Sequence, residues 1–576
     1  MRLLIFFIAF LITLNSYSQI FFNDEASNIG FNEHCGTSIL GTGLSFVDYD
    51  GDGWDDITLT GTTGAPLRFY KNFQGLFFEE LLITPQITHP TRSVTWVDFD
   101  NDGDKDLFIT SDEFYNRLFE NTDSGLIEIT VQAGFPTNIQ FTYGASWGDI
   151  NNDGCLDVYI SNRIVTGNTI TNYLYQNNCD GTFTDVTDSV GLTNAPALTF
   201  CSGFIDINND GWQDIYVAND KFEPNFMYKN NGDGTFTDIS ASSGTDVVVD
   251  AMSVTVDDFN SDGFLDIYVT NTPGAIATPS FGNVLFKNNG DETFTNIAVS
   301  SGTLLDSFAW GASFFDAEND GDLDLYVSCS YDGTFMGYPS AAFYENQSDE
   351  TFTEPTNIGF SNDSEISYSN AIGDLNNDGK TDIIVMNSDD TVPFVWNNQT
   401  TTTNNYIGVT IEGTVSNRDG VGSLIEISVD GEKQYRYVMC GEGYLAQNSF
   451  KEIFGVGNST AIIDYVKIKW LSGIEDTVTD VAVNQVIDIK EGTTLSISDV
   501  ELPVEVDIFP NPSDGQYEIV SNNIIDTITI YSISGRKLQE YHTGVKRLDL
   551  STYQSGLYLV EMTSEGRTSY KKIIKK

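Results

Sequence analysis

Downstream of residue 18 and as far as residue 400, the chain alternates short apolar runs with polar turns, the pattern of strands rather than helices. The unit is clearest around residues 144–186. A small-residue strand, Gly144-Ala-Ser-Trp-Gly148, leads into an acidic turn, and Val158-Tyr-Ile160 forms a second strand. Tyr173-Leu-Tyr175 makes a third, and after a turn at Asn178 to Gly181 comes a fourth, Thr182-Phe-Thr-Asp-Val186. Four strands per period, repeated along the chain, predict the blades of a β-propeller.

The acidic turn recurs seven times, beginning at residues 48, 98, 149, 206, 258, 316 and 374, so successive starts differ by 50, 51, 57, 52, 58 and 58 residues. Seven copies predict seven blades in an all-β fold. The seventh copy lacks the closing Thr-Phe-Thr-Asp strand after Phe394-Val-Trp396, but Phe22 to Phe31 aligns with Phe183 to Leu192. The first mature strand is therefore expected to complete the last blade, which removes a free sheet edge.

Each turn carries oxygen side chains at positions 1, 3, 5 and 9 and glycine at position 6. The first two copies supply Asp48, Asp50, Asp52 and Asp56, then Asp98, Asp100, Asp102 and Asp106. The next three use Asn at position 3: Asp149, Asn151, Asp153 and Asp157; Asp206, Asn208, Asp210 and Asp214; Asp258, Asn260, Asp262 and Asp266. The sixth has Asp316, Glu318, Asp320 and Asp324, and the seventh Asp374, Asn376, Asp378 and Asp382. Alternate side chains converge while glycine permits the tight turn, a donor set suited to a hard cation, so about seven Ca²⁺ ions are expected. An EF-hand is excluded, because position 12 is an apolar strand residue (Leu59, Ile109, Ile160, Val217, Val269, Val327 or Val385) rather than a bidentate Glu.

Charge sharpens this picture. The 83 Asp and Glu against 27 Lys and Arg give a formal charge of −56, which repels nucleic acid and anionic membranes and attracts cations. Residues 1–18 read as an export signal: Arg2 precedes an apolar run from Leu3 to Leu14 and small residues before Gln19. No other apolar run approaches the roughly 18 residues that a membrane helix needs. The six cysteines (Cys35, Cys155, Cys179, Cys201, Cys329 and Cys440) form no C-x-x-C pair, which argues against a zinc site. Cys155 and Cys179 fall in connections on one edge of a blade, where export would permit a disulfide.

The seven turns, their spacing and Asn230-Asn-Gly-Asp-Gly-Thr-Phe-Thr-Asp238 together resemble the FG-GAP or VCBS repeats of integrin α-type propellers, over residues 19–400. Asn417-Arg-Asp-Gly-Val-Gly422, Gly441 to Gln447 and Val466-Lys-Ile-Lys-Trp470-Leu-Ser-Gly, within a β-rich segment at 404–492, resemble the ASPIC/UnbV domain of cartilage acidic protein-like chains. Backbone donors in Arg418 to Gly422 offer either an anion site or an ordinary turn. The tail at 503–576 is near neutral, with 10 acidic and 9 basic residues from 501 onward. Phe509-Pro-Asn-Pro512, Ile530-Tyr-Ser-Ile-Ser-Gly535 and the terminal Lys571 to Lys576 resemble a type IX secretion sorting domain, a small β-sandwich. That resemblance implies handling by type IX secretion machinery and a secreted or cell-surface location.

Three functions compete. A calcium-rigidified scaffold would bind a carbohydrate, protein or matrix partner; a structural protein would join a surface assembly; an enzyme would be a polysaccharide lyase or hydrolase. The only histidines are His34, His89 and His542, the last in the tail, which leaves little material for a nucleophile-histidine constellation. Glu223, Glu33 or Asp220 could serve as catalytic acids, but nothing in the sequence singles them out. A binding protein without catalytic residues is the expectation.

Overall fold

The computed structural model describes residues 19–494 and 506–576, apart from short internal stretches of which 164–170, 273–281 and 332–338 are the longest. The proposed export signal at 1–18 lies outside the described residues. The fold is all-β, with three one-turn helices among the described residues, Ala26–Ile29, Ser240–Ser243 and Ala298–Ser301. No helix among the described residues is long and apolar enough to cross a membrane. The chain forms two compact units, one ending at Thr494 and the other beginning at Leu495.

Seven small antiparallel sheets occupy the repeat region, and in six of them four consecutive strands pair in chain order. The third sheet is representative: Thr142–Gly148, Asp157–Asn162, Tyr173–Asn177 and Phe183–Asp185. The seventh has Ser367–Gly373, Asp382–Asn387 and Phe394–Asn398, and its fourth strand is Phe22–Asp24 from the N-terminus. Phe22 lies opposite Asn398 and Asp24 opposite Trp396, the pairing that the missing Thr-Phe-Thr-Asp strand predicts.

First and second strands are buried along their whole length in the longer sheets, such as Thr142–Gly148 and Asp157–Asn162, because a neighbouring sheet covers each face. Small residues permit the close approach. A Cβ on Gly148 would stand 2.5 Å from the Phe204 ring of the fourth sheet, and one on Gly373 would stand 2.9 Å from the Phe46 ring of the first. Apolar cores fill the spaces between sheets. Tyr159 and Leu174 pack with Phe204 and Tyr228 between sheets three and four, and Phe46 and Ile57 with Ala371 and Ile384 between sheets one and seven.

Asparagines stitch neighbours together. At the end of the third strand, Asn177 Nδ2 donates to the Phe99 carbonyl of the preceding turn at 2.8 Å, Asn230 to Ile150 at 2.8 Å and Asn288 to Ile207 at 2.9 Å. Asn346 and Asn398 continue the series to Phe259 and Ala317. Asn72 of the first sheet reaches Leu375 in the seventh turn at 2.9 Å.

Two further sheets follow within the same unit. Asn405–Glu412 lies between Glu452–Gly457 and Gln485–Lys490, and Leu424–Val429 pairs with Glu432–Tyr437 and Ile462–Lys469, the latter with Glu475–Ala482. Ile407, Ile425, Phe454, Val466 and Trp470 form their shared core. Between these strands, Ala446–Gln447 leaves the pair of sheets and adds a parallel strand to Leu44–Val47 of the first repeat sheet. The second unit holds a three-stranded and a four-stranded sheet around Tyr517, Ile530, Leu548 and Val560.

Candidate metal centres

All seven acidic turns connect the first strand of a sheet to its second, and position 9 opens that second strand. Position 1 organises the turn by accepting backbone N–H groups. Asp149 takes Asp153 N at 3.2 Å on Oδ1 and Gly154 N at 2.8 Å on Oδ2; Asp206, Asp258, Asp316 and Asp374 repeat both bonds. Position 5 accepts the N–H of position 7, as in Asp210 with Trp212 at 2.9 Å. Position 9 is buried in every copy, and Asp157 accepts Asn177 N on Oδ1 at 2.7 Å and Ile150 N on Oδ2 at 2.9 Å. Position 6 glycines lie at positive φ, 83° at Gly211 and 106° at Gly321, where a side chain would be strained.

In the three turns with an acid at position 3, the carboxylate oxygens of positions 1, 3 and 9 lie within 4.8 Å of one another: Asp48, Asp50 and Asp56; Asp98, Asp100 and Asp106; Asp316, Glu318 and Asp324. Asn151, Asn208, Asn260 and Asn376 hold position 3 in the other four turns, and the first three each donate an amide N–H to position 5 at 2.8–3.0 Å. Burial raises the position 9 carboxyls, Asp56 and Asp214 to about 8 and Asp106 to about 9, against the pull of their backbone donors. Burial likewise raises Asp98 and Asp258 to about 7. Asp98 Oδ1, Asp266 Oδ2 and Glu318 Oε2 are buried without a hydrogen-bond partner. Clustered, buried, oxygen-only donors with unused lone pairs are costly alone and suit a hard divalent cation.

Position 4 carries a role that reading the turns one at a time misses. Its residues adopt positive φ, and in five copies its Asn side chain donates to the position 6 carbonyl of the next turn: Asn101 to Gly154, Asn152 to Gly211, Asn209 to Gly263, Asn319 to Gly379, and Asn377 to Gly53, at 2.8–3.1 Å. The recurrence of Asn two residues before the glycine was the available signal. The last of these bonds links the seventh turn to the first.

Cys155, position 7 of the third turn, is bonded to Cys179 in the turn between the third and fourth strands, with Cα atoms 5.8 Å apart. Other sheets fill the same contact differently: Trp212 lies over Gly232, Phe264 over Gly290, and Ser348 Oγ donates to Asp322 at 2.6 Å. The disulfide closes a loop with a sequence separation of 24. Replacing both cysteines by serine is expected to cost about 3 kcal/mol through the freed unfolded chain. An unchanged urea midpoint would show the bond to be dispensable.

Of the three acids considered for catalysis, two take part in ion pairs. Glu33 pairs with Arg68 at 3.3 Å, and Asp220 with Arg163 at 2.9 Å and Lys221 at 3.0 Å. His89 stacks on Phe114, and Glu223 is half-buried. The Arg418 to Gly422 segment is a turn: Arg418 N donates to Asn101, Gly420 N to Asn417 and Gly422 N to Val438. Asp419 within it accepts Asp98 N at 2.8 Å and pairs with Lys105.

Comparison with known proteins follows the same divisions. The FG-GAP-like repeat family matches residues 48–109, 98–160, 206–269 and 331–385, the ASPIC and UnbV family residues 413–496, and the secretion system C-terminal sorting domain residues 507–576. The sixth turn, with its unusual Glu318, falls outside the matched repeats. The chain is thus an exported repeat protein. It combines FG-GAP-like repeats, an ASPIC/UnbV domain and a type IX sorting tail, which assigns it to secretion with surface attachment.

Among curated proteins, it is 26% identical over 314 residues to cartilage acidic protein 1 of Xenopus tropicalis, covering 54% of this chain and 46% of that one. Human cartilage acidic protein 1 is 24% identical over 335 residues, covering 53% and 49%. The chain therefore spans about half the length of these relatives. Among solved structures, an Agrocybe aegerita lectin described as recognising non-reducing terminal N-acetylglucosamine matches at 17% identity and a TM-score of 0.33, covering 55% of this chain and 81% of the lectin. That likeness is too distant to bear on function.

Proposed function

We propose that residues 19–400 form a closed seven-bladed β-propeller, loaded with about seven Ca²⁺ ions, that serves outside the cell as a rigid binding scaffold. The observation that supports closure best is the pair of asparagine series that return from the seventh repeat to the first, through Asn377 to Gly53 and Asn72 to Leu375. Positions 1, 3, 5 and 9 of each turn would hold the ion, whose contribution is to neutralise carboxylates that otherwise repel one another. Seven divalent ions would bring the formal charge from −56 to −42.

In this reading the ligand is a carbohydrate, protein or matrix component, and the chain is not an enzyme. The conspicuous carboxylates are engaged by metal turns or, for Glu33 and Asp220, by Arg68, Arg163 and Lys221. Residues 404–457 lie against the metal turns: Asn404 Nδ2 donates to the Glu318 carbonyl at 2.9 Å, Gly457 N to that of Asn319 at 3.0 Å, and Lys451 Nζ to Asn377 Oδ1 at 2.6 Å. Ligand recognition then falls to the opposite ends of the sheets, where second strands pass to third.

A glycan and matrix-protein array probed with the calcium-loaded chain lacking residues 495–576, run beside a polymer-degradation assay, tests this reading. Saturable binding without product release is expected. Steady release of oligosaccharides would replace the scaffold with a lyase or hydrolase.

A further inference from the structure

The first strand of a repeat sheet has only one partner within its own sheet, the second strand, so its other edge carries backbone N–H and C=O groups that need partners. Residues 438–449, a loop of the ASPIC/UnbV region, meet these edges. Ala446 and Gln447 lie opposite Leu44 and Ser45 of the first sheet. For the second sheet the side chain of Gln447 stands in for a peptide: Oε1 accepts Trp96 N at 2.7 Å, and Nε2 donates to Trp96 O at 2.7 Å. Trp147 N of the third sheet donates to Cys440 O at 2.9 Å.

On the other side, Gly443 and Val254, the residue that leads into the fifth sheet's first strand Thr255–Asp257, exchange two backbone bonds at 2.8 and 3.2 Å. Ser449 N donates to Ile372 O of the seventh at 3.0 Å, and Ile372 N to Asn448 Oδ1 at 2.9 Å. The fourth and sixth sheets are met by Tyr444, whose fully buried ring packs edge-on against Phe200 and Trp310 at centroid distances of 5.8 and 4.9 Å. Gly441 is required by the fit: it lies at φ 81°, and a Cβ there would stand 2.2 Å from the Ala145 carbonyl oxygen. One short segment thus contacts the first strand, or the residue that leads into it, in every repeat sheet.

We propose that the ASPIC/UnbV region works as the axle of the repeat domain: residues 438–449 occupy the axis, hydrogen-bond to five of the seven sheets and pack Tyr444 against the first strands of the other two, so that repeats and module fold as one unit. The proposal rests on the seven-bladed reading above. It assigns the module an intramolecular role and leaves no open channel along the axis for a ligand.

Hydrogen exchange measured by mass spectrometry on the full chain, in calcium and rising denaturant, tests it. Residues 438–449 and the seven first strands are expected to lose protection at one common denaturant concentration. Gln447→Ala is expected to speed exchange in Val94–Val97 by at least ~10-fold, since it removes bonds to Trp96 without touching the metal turns. Should that variant fail to fold, the wild-type exchange profile decides alone. Seven first strands that exchange together while 438–449 opens earlier would remove the axle and leave the ring. First strands that exchange independently of one another would remove both.

Discussion

Withdrawing calcium with EGTA should lower the thermal midpoint of the 19–494 unit by about 10 °C or more and reverse the sign of its pH dependence. An ion bound only by the folded state stabilises it by about 2.7 kcal/mol per site at a hundredfold excess over Kd, and seven such terms exceed the whole stability of many domains. The pH sign follows from the buried acids. In the metal-free fold, Asp56, Asp214 and Asp106 are raised by burial to about 8, 8 and 9 from an ordinary 3.8. A group raised on folding stabilises fully below its unfolded pKa and loses that contribution as pH climbs through the folded value. The metal-free protein should therefore melt lower at pH 8 than at pH 5.

With calcium present the order inverts, because ions bind the deprotonated turns and protons compete with them. Scanning calorimetry at pH 5, 6.5 and 8, with and without EGTA, reads both effects. Equal midpoints with and without chelator at pH 8 would falsify the calcium assignment. A fall in midpoint on chelation at pH 8 that shrinks at pH 5 is the expected pattern.

Much of this arrangement was legible because the chemistry repeats. Each turn declares itself through local spacing, and the strand on either side follows from the apolar runs that flank it. The N-terminal strand was legible by subtraction, since the last repeat lacks its Thr-Phe-Thr-Asp segment. The Cys155–Cys179 bond followed from placing both residues on one edge of one sheet. Residues 438–449 were not legible as a strand partner. Val438-Met-Cys-Gly-Glu-Gly-Tyr-Leu-Ala-Gln447 has neither a period of two nor a period of 3.6, and its partners at Leu44 and Ser45 lie some four hundred residues away in the chain. Its stability comes from bonds to other sheets, which no local pattern encodes. The bonding role of position 4 was hidden for a related reason: Asn101 or Asn377 looks like ordinary turn chemistry until the next turn is placed beside it.

Phe22→Ala should destabilise the repeat domain by about 3–5 kcal/mol, although it lies near the N-terminal end of the described residues, where substitutions are usually tolerated. Phe22 is wholly buried, stacks on Phe360 at 5.0 Å and packs edge-on against Phe315 at 6.2 Å, so its ring joins the sixth and seventh sheets. Its N–H donates to Ile358 O at 2.8 Å, and its strand covers the edge of Phe394–Asn398. Losing the ring leaves a cavity between two sheets and weakens the strand that covers that edge among the described residues, which exposes it to pairing with a second chain. Phe21 next to it is the control: at 38% exposure, its replacement by alanine should stay within about 0.5 kcal/mol. Urea denaturation of both variants, with light scattering to detect association, separates the two positions. A Phe22→Ala midpoint that matches that of Phe21→Ala would mean that the N-terminal strand is an accessory to the seventh sheet rather than the strand that completes it.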